Sequence, residues 1–134
     1  MLITRETDYA LRILQSLLNG EKKSVGEISE QELIPQQFAY KIIKKLSQAG
    51  FVQILRGADG GCRLACDLDK VSLLDLMAVT ESHYAVNSCM DPAYHCPRRE
   101  KKGRCIIHSR LVGVQQRLDE ELRSYNLKSL LKPE

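Results

Sequence analysis

Residues 34–50 read IPQQFAYKIIKKLSQAG, and this stretch decides the fold. Pro35 suits a first helical turn, because its missing N–H has no intrahelical partner there and its φ is already helical. Gly50 supplies the left-handed residue at which such a helix stops. Between them Phe38, Ala39, Ile42, Ile43 and Leu46 recur at helical spacing and predict a buried face. Gln36, Gln37, Tyr40, Lys41, Lys44 and Gln48 are left outside as a row of hydrogen-bond donors. Glutamine can pair bidentately with adenine, and lysine suits phosphate oxygens, so the row has the chemistry to read a DNA groove.

Working upstream, Ser24 with Glu27 three residues on predicts a capping box and a short helix to about residue 31, with Val25 and Ile28 inward. Residues 4–19 predict a first helix with Thr4 as N-cap, Ala10, Ile13, Leu14, Leu17 and Leu18 on one face, and Gly20 at the stop. Downstream, residues 51–56 and 62–66 predict two strands joined by Gly57-Ala58-Asp59-Gly60-Gly61, a linker whose glycines accept positive φ. Helix, short helix, helix with an exposed polar row, then a glycine-rich hairpin is the order of a winged helix-turn-helix, whose third helix enters the major groove. The candidate DNA-binding residues are Thr4, Arg5, Ser24, Pro35, Gln36, Gln37, Tyr40, Lys41, Lys44 and Arg56. Arg56, at the base of the wing, suits a narrow minor groove or the backbone beside it.

The charge distribution agrees with this reading better than its total does. The chain of 134 residues carries a net charge of only +3, but between Pro35 and Arg63 five bases face the single acid Asp59. A second basic run, Arg98, Arg99, Lys101, Lys102 and Arg104, is opposed by Glu100 alone. A hydrophobic fraction of 43% places the chain among folded globular proteins. No apolar run approaches the roughly 20 residues that span a bilayer. The first residues, MLITRETDYALR, carry acids where a signal peptide has bases. The expectation is a cytoplasmic protein without a membrane partner.

Beyond the wing, Ser72 predicts the cap of a helix bearing Leu73, Leu76, Met77 and Thr80. Residues 82–104 lose periodicity and fit no standard element. From about Cys105 to Tyr125 the pattern resumes, with Ile107, Leu111, Val114, Leu118 and Leu122 forming one apolar stripe. A helix this long, on a chain this short, calls for a partner helix, and the economical partner is a second copy. Leu127, Leu130 and Leu131 dock the tail. The expected fold is mainly α with a small β-hairpin wing, with residues 1–67 as the DNA-binding region and residues 68–134 as a cysteine loop and dimerisation helix, in one integrated domain.

Five cysteines, an odd number in a reducing compartment, point to metal or redox chemistry rather than a disulfide framework. Cys89, Cys96 and Cys105 share the polar loop and the start of the long helix, where three thiols can converge on one centre. The basic run and the helix N-terminus favour the thiolate of Cys105. His108 follows Cys105 by three residues on the same helical face, and Asp8 stands four residues before Arg12. Inert thiols, a Cys3His zinc site, a solvated His108 and a surface Asp8–Arg12 pair are the alternatives. Cys62 and Cys66 alternate on the wing strand and read as packing residues.

These pieces together carry a family resemblance along nearly the whole chain. T-x-x-T-D-Y-A-L-R at residues 4–12, I-P-x-x-F-x-x-K-I-x-x-x-L-x-x-A-G at residues 34–50, R-G-x-x-G-G-x-x-L at residues 56–64 and the cysteines at 89, 96 and 105 resemble the IscR/NsrR/RirA (Rrf2) family of bacterial regulators. The resemblance implies a homodimer with crossing C-terminal helices, a palindromic double-stranded operator and control by an iron-sulfur cluster. It puts Pro35, Gln37, Tyr40 and Arg56 at DNA-contacting positions. A fourth ligand from His108 resembles the branch with a 2Fe-2S cluster. One from Asp8 of the partner subunit resembles the branch with a 4Fe-4S cluster, the arrangement that the intact T-D-Y-A-L-R stretch favours.

The expected function is a repressor whose operator affinity depends on the cluster, sensing iron, redox state or nitric oxide. The alternative is a cluster-free regulator of the same fold, controlled by a small molecule, thiol oxidation or a partner protein. An enzyme is not expected, since there is no phosphate-cradling loop before a helix, no nucleophile motif and no carboxylate pair with a supporting histidine.

Overall fold

The computed structural model describes residues 2–81 and 83–134. Helix α1 (Arg5–Ser16) buries Tyr9, Ala10, Ile13 and Leu14. It stops short of residue 19, and Leu17 completes its apolar face from a turn. Helix α2 (Val25–Glu32) starts at Ser24, whose side chain accepts from the Glu27 amide at 3.1 Å. Only the serine half of the expected capping box forms among the described residues, and the Glu27 side chain stays exposed. Leu33 ends α2 in the left-handed region, at φ 56°, and is 82% exposed. That backbone reversal turns Ile34 into the core.

Helix α3 (Gln36–Gln48) begins one residue after Pro35, which is its N-cap. Ala39, Ile42, Ile43 and Leu46 are buried as expected. Phe38 is not: it is 46% exposed. It lies about 100° round the helix from Ala39, and its ring meets Tyr9 on the rim of the core at a centroid distance of 6.2 Å.

Strands β1 (Val52–Leu55) and β2 (Gly61–Leu64) form an antiparallel hairpin in the register Val52↔Leu64 to Leu55↔Gly61. Both are shorter than their apolar runs. Lys23, just before α2, adds a bridge to the hairpin by exchanging backbone bonds with Cys62 at 3.0 and 2.8 Å. This contact sets the identity of residue 61, since a Cβ there would stand 2.5 Å from the Lys23 carbonyl oxygen.

Helix α4 (Leu73–Thr80) carries the reciprocal capping box of Ser72 and Asp75. Within the span expected to lack structure, residues 97–102 form helix α5 (Pro97–Lys102), opened by proline at its first turn. The six residues PRREKK hold no apolar side chain beyond the proline ring, so periodicity has nothing to register. Helix α6 (Ile106–Ser124) is 19 residues long. Helix α7 (Leu127–Leu131) buries Leu127 and Leu131, four residues apart, and leaves Leu130 40% exposed on the other side, contrary to the expected docking of all three leucines.

A single buried cluster joins these elements. Residues of α1, α2, α3 and the hairpin meet Leu73, Leu76 and Met77 of α4 and Leu122, Leu127 and Leu131 from the C-terminal helices. The expected α6 stripe divides along its length. Leu122 is in this core, Leu111 and Leu118 are half-buried, and Ile107 and Val114 are 53% and 52% exposed. Among the described residues no helix is long and apolar enough to cross a membrane.

Candidate nucleic-acid interface and cysteine loop

The helical register places Gln36, Gln37, Tyr40, Lys41 and Lys44 on the exposed side of α3, and Arg56 is exposed where β1 ends. Tyr40, Lys41 and Lys44 line a cleft of about 580 Å³ between α3 and the wing, with Arg56 on its other side. Ile43 and Cys62 also line it, together with Val25 and Ile54, two residues outside the sequence set. Ile54 is 44% exposed on a strand whose partner position, Cys62, is fully buried. Period two puts Ile54 on the same strand face as the buried Val52, so the sequence pattern alone gives no signal that it lies open on the cleft. Arg5 is exposed and Ser24 is half-buried as the cap of α2.

Two contacts at the start of α1 have no signal in the sequence. Glu6 takes the ammonium groups of Lys41 and Lys45 at 2.9 and 2.7 Å, across 35 and 39 positions of chain. The bonds from Lys45 and then Lys41 hold its carboxyl below the ordinary range. Lys41, a candidate phosphate contact, is thus already held by a carboxylate in the free chain. Thr4 gives both its amide and its hydroxyl to Glu81 Oε1, at 2.9 and 2.8 Å, and Thr7 adds its hydroxyl at 2.6 Å. The polar groups that nominated Thr4 as a DNA contact are thus turned inward, while α1 gains an acid from α4 at its positive end.

The cysteines divide into two kinds. Cys62 is fully buried, and burial pushes its thiol up to about 11. Cys66 is raised by burial and by neighbouring Asp67, and its Sγ donates to the Phe51 carbonyl at 3.6 Å. Both behave as packing groups. Cys89, Cys96 and Cys105 are free and half-buried. Cys89 lies in a turn of 3₁₀ helix, while Cys96 and Cys105 are the N-caps of α5 and α6. The backbone N–H groups of His108 and Ile107, with Arg98 and Arg99, hold the Cys105 thiol below its ordinary value despite some opposing desolvation.

The donor chemistry therefore fits a thiolate-bound group, but the lone chain does not preassemble the site. Among the described residues no group of three His, Cys, Asp or Glu side chains stands ready to hold a metal ion. The candidate fourth donors differ. Asp8 pairs with Arg12 at 2.9 Å, the surface pair that the sequence also allowed. His108 has a buried Nδ1 without a hydrogen-bond partner.

Comparison with known proteins bears on this arrangement. The family model described as "Rrf2: Iron-dependent Transcriptional regulator" matches residues 3–133. The chain is 32% identical over 135 residues to Protein aau3 of Rhizobium meliloti, covering 98% of this chain and 86% of that protein. It is 31% identical over 128 residues to the HTH-type transcriptional regulator NsrR of Bacillus subtilis, covering 93% and 82%. In three dimensions it resembles T. potens IscR with a TM-score of 0.70 at 19% identity, covering 98% and 86% of the two chains. It also resembles the oxidized form of Staphylococcus aureus CymR with a TM-score of 0.71 at 20% identity, covering 100% and 98%. Both structural likenesses speak to the mainly helical, winged-helix fold.

Proposed function

The chain belongs to the Rrf2 family of transcriptional regulators, and on that premise we propose that it is a repressor that binds a palindromic operator as a homodimer, with its affinity set by an iron-sulfur cluster. The observation that carries the DNA-binding part is the convergence of Tyr40, Lys41, Lys44 and Arg56 on one cleft between recognition helix and wing. Gln36 and Gln37 stand at the exposed N-terminal end of that helix, where base edges are reached. The open Ile107 and Val114 of α6 give a second α6 something to cover. A two-fold axis through that seam presents two recognition helices to two half-sites.

Cys89, Cys96 and Cys105 are the thiolate donors of this reading. His108, with its unpartnered Nδ1, supports a fourth ligand of the 2Fe-2S branch within one chain. Asp8 of the partner subunit is the 4Fe-4S alternative, and it requires its Arg12 pair to open. A bound cluster supplies a centre whose potential and lability respond to its ligands. The chain's own part is to lower the Cys105 thiol below its ordinary value at the mouth of α6, through the backbone of His108 and Ile107 and the nearby arginines, and to tie the loop to that helix. A second reading, thiol-based control without a cluster, is supported by the free, half-buried state of Cys89, Cys96 and Cys105 and by the lowered thiol of Cys105.

Anaerobic purification and reconstitution with iron and sulfide separates the two. Brown protein with bound iron and sulfide, lost in Cys89→Ala, Cys96→Ala and Cys105→Ala and kept in Cys62→Ala and Cys66→Ala, supports the cluster. Asp8→Ala compared with His108→Ala then identifies the fourth ligand by its spectrum, and colourless reconstituted protein transfers the function to thiol control. On DNA, Lys41→Ala and Arg56→Ala should each lower the salt slope by about one. Gln37→Ala should cost about 1–3 kcal/mol on the cognate site and little on random DNA. Equal losses on both DNAs would show that Gln37 does not read a base.

A further inference from the structure

Between α4 and α6 the segment after residue 82 walls off an open cavity of about 1280 Å³. Leu74, Val86 and Met90 give it an apolar side, and Tyr84 and Tyr94 give it aromatic rings. Its polar end is built on α6. The Gln115 side chain accepts from the Val86 amide and donates to Asp119 Oδ1, both at 2.8 Å, which fixes the Asp119 carboxylate in place. The Tyr84 hydroxyl is buried beside that carboxylate and the Gln115 amide, with no well-aligned hydrogen bond to either. Buried hydroxyls are ordinarily well satisfied, so a ligand that bonds this one improves on what the chain itself supplies.

The charge of the lining selects the ligand. Its described residues include the carboxylates Asp91 and Asp119 and no lysine or arginine, with His83 as the single base. Asp91 and Asp119 each give one oxygen to a chain donor, the Ala93 amide and Gln115, but only Asp119 stands beside the Tyr84 hydroxyl. The cavity is also distinct from the exposed seam of α6. Gln115 and Asp119 each follow a seam residue, Val114 and Leu118, by one position, about 100° round the helix.

We propose that this cavity is an effector site for a small organic cation with an apolar body. The ammonium group donates to Asp119 and to the Tyr84 oxygen, and the body lies against the tyrosine rings, which attract a cation to their faces. Cys89 does not line the cavity, but it stands in the 3₁₀ turn between the lining residues Ser88 and Met90. Occupancy therefore fixes the turn that carries one thiol of the cysteine loop and changes operator affinity. The site uses none of the proposed cluster ligands, although it shares the turn of Cys89 with them, and its effector role rests on the reading of the chain as a DNA-binding regulator.

The test uses the full chain, titrated calorimetrically with phenethylamine and with 3-phenylpropionate, an anion of similar shape. The amine should saturate at one site per chain and the anion should not bind. Asp119→Asn should weaken the amine by at least about tenfold, the loss of one charged hydrogen bond. Ala93→Trp, which fills the exposed rim without touching Asp119, should abolish binding even if Asp119→Asn disturbs α6. Saturating amine should also shift operator affinity in fluorescence anisotropy. Absence of saturable binding to ~10 mM, the outcome if a second subunit fills the cavity, overturns the proposal. So does equal binding of the anion. Binding that leaves operator affinity unchanged overturns the effector role. Cluster colour and unliganded DNA binding are separate readouts, so none of these failures is confused with failure of the regulator itself.

Discussion

Replacing Glu81 by glutamine keeps the shape of the clasp between α4 and the start of α1 and removes its charge. Oε1 accepts from the Thr4 amide, the Thr4 hydroxyl and the Thr7 hydroxyl within 2.9 Å, and Thr7 is fully buried with a second bond to Thr80. A hydrogen bond to a charged group contributes roughly 1 kcal/mol more than a neutral one, so three would lose about 3 kcal/mol if they were additive. They share one half-exposed oxygen, and water compensates part of the loss, so Glu81→Gln should cost about 1–2 kcal/mol. For a chain of this size that is a fall in Tm of about 4–8 °C. Burial alone would raise the Glu81 carboxyl, but the bonds from Thr7 and Thr4 outweigh it and hold the group below its ordinary value. A depressed folded value stabilises the protein above the unfolded value of about 4.3, and that stability is lost as pH falls through the folded value. The gap between parent and variant should thus be full near pH 7 and shrink as pH falls below about 4. Glu6, also depressed, loses stability in both proteins alike. Urea unfolding at fixed protein concentration measures the gap. A difference under about 0.5 kcal/mol at pH 7, or one unchanged by acid, would refute the charge-based account.

Val114→Asp should give a folded monomer by sedimentation, because Val114 is half-exposed in the protomer while a carboxylate in a helix seam costs several kcal/mol; an intact dimer would remove the seam from consideration. Leu33→Gly should raise the urea midpoint, since relief of a left-handed leucine, about 1–2 kcal/mol, exceeds the entropy cost of glycine, about 0.5–1 kcal/mol. The side chain is 82% exposed and loses little burial. A lower midpoint would mean that Leu33 packs against something other than solvent.

Much of this architecture was legible because apolar spacing, caps and glycines agree locally. Ile42, Ile43 and Leu46 announce the face of α3, Ser72 announces α4, and the glycines from Gly57 announce the wing. What was not legible is long-range. The Glu81–Thr4 clasp and the Glu6–Lys41 pair join residues 77 and 35 positions apart, and no local pattern encodes either. Phe38 misled because a helical face has edges, and an aromatic at the edge is apolar whether or not it is covered. α5 was invisible because its helix rests on proline, arginine, glutamate and lysine alone. At the candidate site, the exposed row of α3 followed from register, whereas the inward turn of Thr4 depended on an acid that the sequence places far away.

The clasp also bears on how a loop event reaches DNA. The cysteine loop leaves α4 immediately after Glu81, and Glu81 grips the first turn of α1. That same turn carries Glu6, which holds Lys41 and Lys45 of the recognition helix. If Lys41 binds phosphate as proposed, Glu6 competes for it, and the position of Glu6 changes the charge that α3 offers to a DNA backbone. Packing alone would transmit a shift of α4 to α3 without involving these carboxylates. The two routes differ in a measurable way. If the polar chain transmits, Glu81→Gln alters operator affinity well below the unfolding midpoint, and its effect disappears in a Glu6→Gln background because the acid it repositions is gone. If packing transmits, the two substitutions act additively on affinity, and the clasp serves stability alone.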